Sequence, residues 1–139
     1  MEKKIIGFTS GVFDMFHIGH LNILKQAKDK CDYLIVGVST DECVKSYKHR
    51  LPIIPFEQRA AIVAAIKYVD EVIPQETMDK IEILKKYHFD IMFHGNEWKD
   101  TPLYNRYEKE FANYGARIEY LNHTDGISSS LLREKIYHD

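Results

Sequence analysis

Thr9-Ser-Gly-Val-Phe-Asp-Met-Phe-His-Ile-Gly-His20 joins a short apolar run, Lys4–Phe8, to an amphipathic stretch, Ile18–Lys30. The run has the length and the Ile and Phe content of a strand. In the stretch after it, Ile18, Leu21, Ile23, Leu24 and Ala27 share one broad helical stripe. The spacing therefore predicts a strand that turns sharply into a helix, with Gly11 and Gly19 where backbone must approach something closely. His17 and His20 are three apart and project from one side of the first helical turn. A helix start offers free N–H groups and the positive end of the dipole, which suits an anion. Two imidazoles there can donate hydrogen bonds to phosphate oxygens as charge rearranges. Alone, H-x-x-H also fits two satisfied polar residues, or a zinc pair, although no third ligand stands at a sensible spacing. G-x-G-x-x-G and the P-loop pattern are both absent.

Outward from this segment the pattern repeats. Strands are expected at Tyr33–Ser39, Glu71–Ile73 (with Val69 before it), Asp90–His94 and Arg117–Leu121. Their faces do not alternate cleanly, as expected of strands covered on both sides. Helices are expected at Phe56–Tyr68 after Pro55, at Thr77–Tyr87 with Thr77 as its cap, at Tyr104–Tyr114 stopping at Gly115, and at Ser128–Tyr137. Strand and helix in alternation predict an α/β chain, a single domain over 1–139 with a Rossmann-like, doubly wound, parallel five-stranded sheet. Ligands of such sheets gather at the carboxyl ends of the strands.

Two further places after strands carry unusual chemistry. Thr124-Asp-Gly-Ile-Ser-Ser-Ser-Leu-Leu-Arg-Glu-Lys-Ile136 puts a glycine and hydroxyls before an amphipathic helix. That order cradles phosphate, and it also serves as a plain helix cap. Lys45, Lys48, His49 and Arg50 follow the second strand, in a loop before Pro52 and Pro55. They form either a solvated charge run or a polyphosphate contact.

Composition narrows the options. The 139 residues are 45% hydrophobic and 29% charged, an ordinary globular balance. Nineteen basic against 21 acidic residues leave a net charge of −2, which argues against nucleic-acid binding as the main task. Cys31 and Cys43 are too few for a disulfide framework or a zinc site. No signal-peptide core or membrane-spanning run is present, so a cytoplasmic protein without a membrane is expected.

Gly11-Val-Phe-Asp14-Met-Phe-His17-Ile-Gly19-His20 resembles the signature of the cytidylyltransferase-like branch of the nucleotidyltransferases, with its H-x-G-H element. The likeness runs through the whole chain and is closest to short bacterial glycerol-3-phosphate cytidylyltransferases. It implies transfer of CMP from CTP, with Mg²⁺ as counter-ion, onto a phosphorylated alcohol, most simply glycerol-3-phosphate, by a homodimer. His17 and His20 would hold phosphate oxygens, with Ser10, Gly11, Val12, Phe13, Asp14 and Gly19 around the nucleotide. Asp14 would orient a lysine or help place Mg²⁺. Lys45 or Lys48 would reach the triphosphate and the acceptor, and Arg59, in Phe56-Glu-Gln-Arg59, matches a phosphate-contact position. Gly95, Asn96, Glu97 and Trp98 are similar to the family's G-D-D-W loop around base and ribose. Thr124, Gly126, Ile127, Ser128 and Ser129 resemble its second signature, with His123 where the family usually has arginine. Asp70-Glu71-Val72-Ile73 resembles a stretch near the family's subunit interface, and Met78 stands where a tryptophan is frequent. Other acceptors (phosphoethanolamine, phosphocholine, other polyol or sugar phosphates, with ATP as a possible donor) and a non-catalytic nucleotide-binding module are the alternatives.

Overall fold

Five strands share one sheet in the order β3-β2-β1-β4-β5, and every neighbouring pair is parallel. They are β1 (Ile6–Gly11), β2 (Tyr33–Ser39), β3 (Glu71–Gln75), β4 (Ile91–Gly95) and β5 (Arg117–Leu121). The computed structural model describes residues 3–138. The helices are α1 (Ile18–Asp29), α2 (Asp41–Lys48), α3 (Phe56–Ala64), α4 (Lys80–Tyr87), α5 (Pro102–Ala112) and α6 (Ser129–His138), with a 3₁₀ turn at Asn96–Trp98.

The strands read as nearly unbroken apolar runs because both faces of the sheet are covered. Leu34, Val36, Val38, Ile91 and Phe93 pack with Leu24 and Ala27 of α1 and Val63 of α3. Their neighbours Ile35 and Met92 turn the other way with Phe8, and pack with Ile83 and Leu84 of α4 and Phe111 of α5. Fully burying one such side chain contributes about 1.5–3 kcal/mol, so these two layers hold the sheet. The chain runs outward from β1 through β2 to β3, then crosses back to β4 on the other side of β1. That reversal opens a crevice beyond the carboxyl ends of β1 and β4.

The expected architecture is the observed one, with differences at the element ends. β1 starts at Ile6, not Lys4, and continues to Gly11, pairing residue by residue with Tyr33–Val38. β3 extends through Pro74, which an edge strand tolerates because its outer side needs no N–H. α4 is capped by Asp79, whose carboxylate accepts from the Ile81 and Glu82 N–H groups, two residues after the Thr77 cap expected. α3 stops at Ala64, and α5 runs two residues earlier than expected, with Thr101 as its cap and Pro102 in the first turn. The larger correction is α2. Lys45 and Lys48 lie in a helix capped by Thr40, not in a loop, and only His49 and Arg50 follow it. Asp41 and Glu42 at its start and Lys45 and Lys48 at its end both suit the helix dipole.

Candidate active site

The loop after β1 is forced into shape. Phe13 and Met15 take φ of 55° and 50°, a left-handed conformation that costs energy for a side-chain-bearing residue. Asp14 lies between them, 2% exposed. Its carboxylate accepts from the Ile53 N–H at 2.8 Å, the Ile54 N–H at 2.9 Å and the Arg133 guanidinium at 3.0 Å. The Ser129 hydroxyl donates to the Asp14 carbonyl at 2.6 Å. Three stretches far apart in sequence therefore meet at one residue. Fully engaged in this way, Asp14 is an anchor, not the free carboxylate expected to orient a lysine or place a metal.

His17 and His20 cap α1 reciprocally. The Gly19 N–H donates to His17 Nδ1 at 3.0 Å, and the His17 N–H donates to His20 Nδ1 at 3.1 Å. The rings stack with centroids 3.9 Å apart. Because both Nδ1 atoms accept, the single ring proton of each neutral imidazole sits on Nε2. Burial keeps both rings neutral: it holds His17 below its ordinary value and, with the neighbouring His17, pushes His20 down to about 4. His17 Nε2 is buried without a hydrogen-bond partner. The pair thus offers two N–H donors of fixed orientation. A side chain at position 19 would come within 3.0 Å of the His17 ring, which is why glycine stands there.

Beyond the ends of β1 and β4 lies a cavity of about 280 Å³. Of the residues expected at a site, Ser10, Gly11, Val12, Phe13, Asp14 and His20 form one side of its wall. Lys48, Gly95, Glu97, His123 and Ser129 form the rest. Glu97 and His123 bond side chain to side chain across the mouth. His17 and Gly19 stand behind His20. Thr124 accepts from Asn22 at 2.7 Å, Gly126 turns the chain with φ of 81°, and Ser128 caps α6 through the Leu131 N–H. Ile127 packs toward Gly19. Asn96 donates to the Asn122 side chain at 3.2 Å.

Three expected residues point elsewhere. Lys45 is exposed and off the cavity wall. Trp98 packs beside His94 and Tyr104 and is 42% exposed, also off the wall. Arg59, expected as an open phosphate contact, is 1% exposed. It donates to the carbonyls of Ile54, Val12 and Ser39 and to the Asp41 carboxylate, at 2.7–2.8 Å. It braces the site from behind.

The cavity also holds groups that the sequence reading did not single out. Arg50, His94 and Arg133 line it. Lys80 is 4% exposed behind Ser10, and its Nζ donates to the Ser10 hydroxyl at 3.2 Å. Burial pushes Lys80 down to about 8. His94 is likewise pushed to about 4, by burial and then by Lys80. For His94, the available signal was a polar residue closing an apolar strand. For Arg133, it was the step of four residues from Ser129.

A family model described as cytidylyltransferase-like matches residues 8–135. The chain belongs to the cytidylyltransferase-like family. It is 33% identical to the glycerol-3-phosphate cytidylyltransferase of Staphylococcus aureus, over 97% of this chain and 96% of that protein. It is 44% identical to the FAD synthase of Pyrococcus abyssi, over 97% of this chain and 94% of that one. The solved lipopolysaccharide core biosynthesis protein from Thermoplasma volcanium shares the fold, with a TM-score of 0.73 at 24% identity over 88% of this chain and 98% of that chain. This cytidylyltransferase-like chain is accordingly a nucleotidyltransferase, built on a Rossmann-like sheet. Among its described residues, no helix is long and apolar enough to cross a membrane.

Proposed function

We propose that this chain transfers CMP from CTP to glycerol-3-phosphate, giving CDP-glycerol and pyrophosphate. One observation carries the reading. The neutral imidazole of His20, backed by the stacked ring of His17, and the serine-led start of α6 share a single cavity at the sheet's reversal point. An oxygen of the acceptor phosphate attacks the α-phosphorus in line. The bond from that phosphorus to the bridging oxygen breaks, and pyrophosphate leaves with the electron pair. The acceptor is already an anion, so the chain needs no nucleophile of its own. Its work is alignment and stabilisation of charge.

His20, with His17 behind it, donates to oxygens on the transferred phosphate. Lys48 on the wall and Lys80 behind Ser10 reduce repulsion between the two anionic reactants. Ser129 and the α6 N–H groups receive the leaving phosphates. Mg²⁺, when bound, neutralises part of the triphosphate charge. Among the described residues, no group of three or more His, Cys, Asp or Glu side chains could hold a metal ion, and Asp14 is fully engaged. The ion would therefore ride on the triphosphate's own oxygens.

The wall also supports an uncharged alcohol over a cationic one. Its two carboxylates, Asp14 and Glu97, are already paired with Arg133 and His123. An ammonium headgroup would find no free partner. The 44% identity to a FAD synthase favours a second reading, in which an adenylate is moved onto a flavin phosphate. Incubation of the protein and Mg²⁺ with CTP or ATP, against glycerol-3-phosphate, phosphoethanolamine, phosphocholine and FMN, separates them. Pyrophosphate release with CTP and glycerol-3-phosphate is expected; FAD formed from ATP and FMN would replace this reading with the second. We also take the working unit to be a homodimer. Light scattering after gel filtration would then report twice the 16.3 kDa chain mass.

A further inference from the structure

The ladder between β4 and β5 ends at Gly95 and Leu121. Beyond it, two exposed pairs link the strand ends: Asn96 donates to the Asn122 side chain at 3.2 Å, and Glu97 bonds to His123. The second pair sits over the end of β4, where a side chain at position 95 would collide with both the Glu97 carboxylate and the His123 ring. Glu97 and His123 line the cavity, so this bridge forms part of its rim. An exposed stretch such as 122–124 does not hold a rim in place by itself. It is held by α1, the helix that His17 caps. Gln26 Nε2 donates to the Asn122 carbonyl at 3.1 Å, and the Asn122 N–H donates to Gln26 Oε1 at 3.3 Å. One side-chain amide thus meets both backbone groups of the first residue past the ladder, as a neighbouring strand would. One turn earlier on the same helix face, Asn22 donates to the Thr124 hydroxyl at 2.7 Å. Gln26 Nε2 also reaches the Asn22 carbonyl at 3.3 Å, which fixes its own orientation. Asn22 and Gln26 both lie off the cavity wall.

We propose that Gln26 is a positioning residue for nucleotide binding: gripping Asn122 from outside the cavity, it fixes His123 against Glu97 and so sets the rim that meets the nucleoside end of the donor. This rests on the proposed function, which puts the phosphates at His20 and the start of α6 and leaves the β4 rim to the rest of the nucleotide. Without the amide, an entering ligand would have to order residues 122–124 itself, and that cost would appear as lost affinity.

The test is calorimetric binding of CTP and of CMP, with Mg²⁺, to the natural chain, Gln26→Met, His123→Ala and the double variant. Met keeps the length and helix preference of Gln and removes both bonds to Asn122. Gln26→Met should bind both nucleotides about 5- to 30-fold more weakly, the scale of one or two neutral hydrogen bonds. His123→Ala should weaken both as well. In the double variant the two losses should not multiply, because with His123 gone Gln26 has nothing left to position. Multiplying losses would mean that Gln26 only stabilises the fold, and would overturn the assignment. So would full binding by either single variant, or a loss confined to CTP, which would place the effect at α6. Gln26→Glu keeps the acceptor for the Asn122 N–H; it should fall between, and it closes the same cycle if the Met variant folds poorly. If the natural chain binds neither nucleotide, the proposed function falls and takes this assignment with it. If the natural chain binds both and the Gln26 variants match it, only Gln26 is misassigned.

Discussion

At the scale of single residues, His17 and His20 have two duties that mutation can separate. Each Nδ1 closes a backbone bond at the start of α1, and each Nε2 is left to donate. Replacing His17 or His20 by Ala removes both, and kcat should fall by about 10²–10³-fold. The lost cap should cost about 1 kcal/mol as well. His17→Asn separates the two, because an Asn side chain accepts from the helix start as well as His does. Its thermal melt should stay near that of the natural chain while kcat still falls; full activity in this variant would remove His17 from the chemistry. Arg59 makes the opposite case. Its donors are engaged by three carbonyls and one carboxylate, so Arg59→Met should destabilise by about 3–5 kcal/mol, read as a lowered denaturant midpoint. The sequence pattern around Arg59 pointed to a phosphate contact, whereas the guanidinium is buried and bonded within the chain. A pattern does not say whether the guanidinium faces a ligand or the chain's own backbone, and only the folded path of residues 12, 39 and 54 decides that.

At the scale of elements, α2 shows what local reading misses. Its eight residues bury little beyond Cys43 and Val44, so no apolar stripe announces a helix. The Thr40 cap and the placement of charges make it one. The two lysines lie three apart, yet only Lys48, at the last turn, reaches the cavity wall, while Lys45, a turn earlier, is out in solvent. Lys48→Ala should lower kcat/KM about 10-fold or more, the scale of one charged hydrogen bond. Lys45→Ala should leave it near the natural value. Equal losses in steady-state assays would mean the helix is not the frame that positions them. The start of α1 and the start of α6 were legible because glycine, histidine and serine do distinctive local chemistry there. Lys80 was not, because a lysine opening a helix looks solvated until the strand ends fold over it.

At the scale of the whole molecule, the parallel five-stranded sheet and the position of the crevice at its strand ends were legible, since alternating strand and helix leave few ways to cover both faces. The electrostatic state was not, because it depends on burial. His20 and His94 are both held at about 4 against an ordinary 6.5. Across that interval the unfolded chain binds more protons than the folded one. Their neutral forms thus support the fold fully above pH 6.5, and that support is lost as pH falls toward 4. Lys80, about 8 when folded against an ordinary 10.5, also lets the unfolded chain bind more protons, so stability gains as pH rises through that higher interval. Melting temperature should drop steeply from pH 6.5 to 4, and less so in His94→Gln. A flat profile would show that these rings titrate as freely as in solution.

The anchor at Asp14 also ties the two ends of the chain together. Its partners Ser129 and Arg133 lie 115 and 119 positions downstream, beyond the last strand. All five strands therefore precede, in the chain, the residues that give the cavity its final wall. A chain truncated after β5 should keep its strands but lose the Ser129 and Arg133 contacts that hold the Asp14 loop to α6.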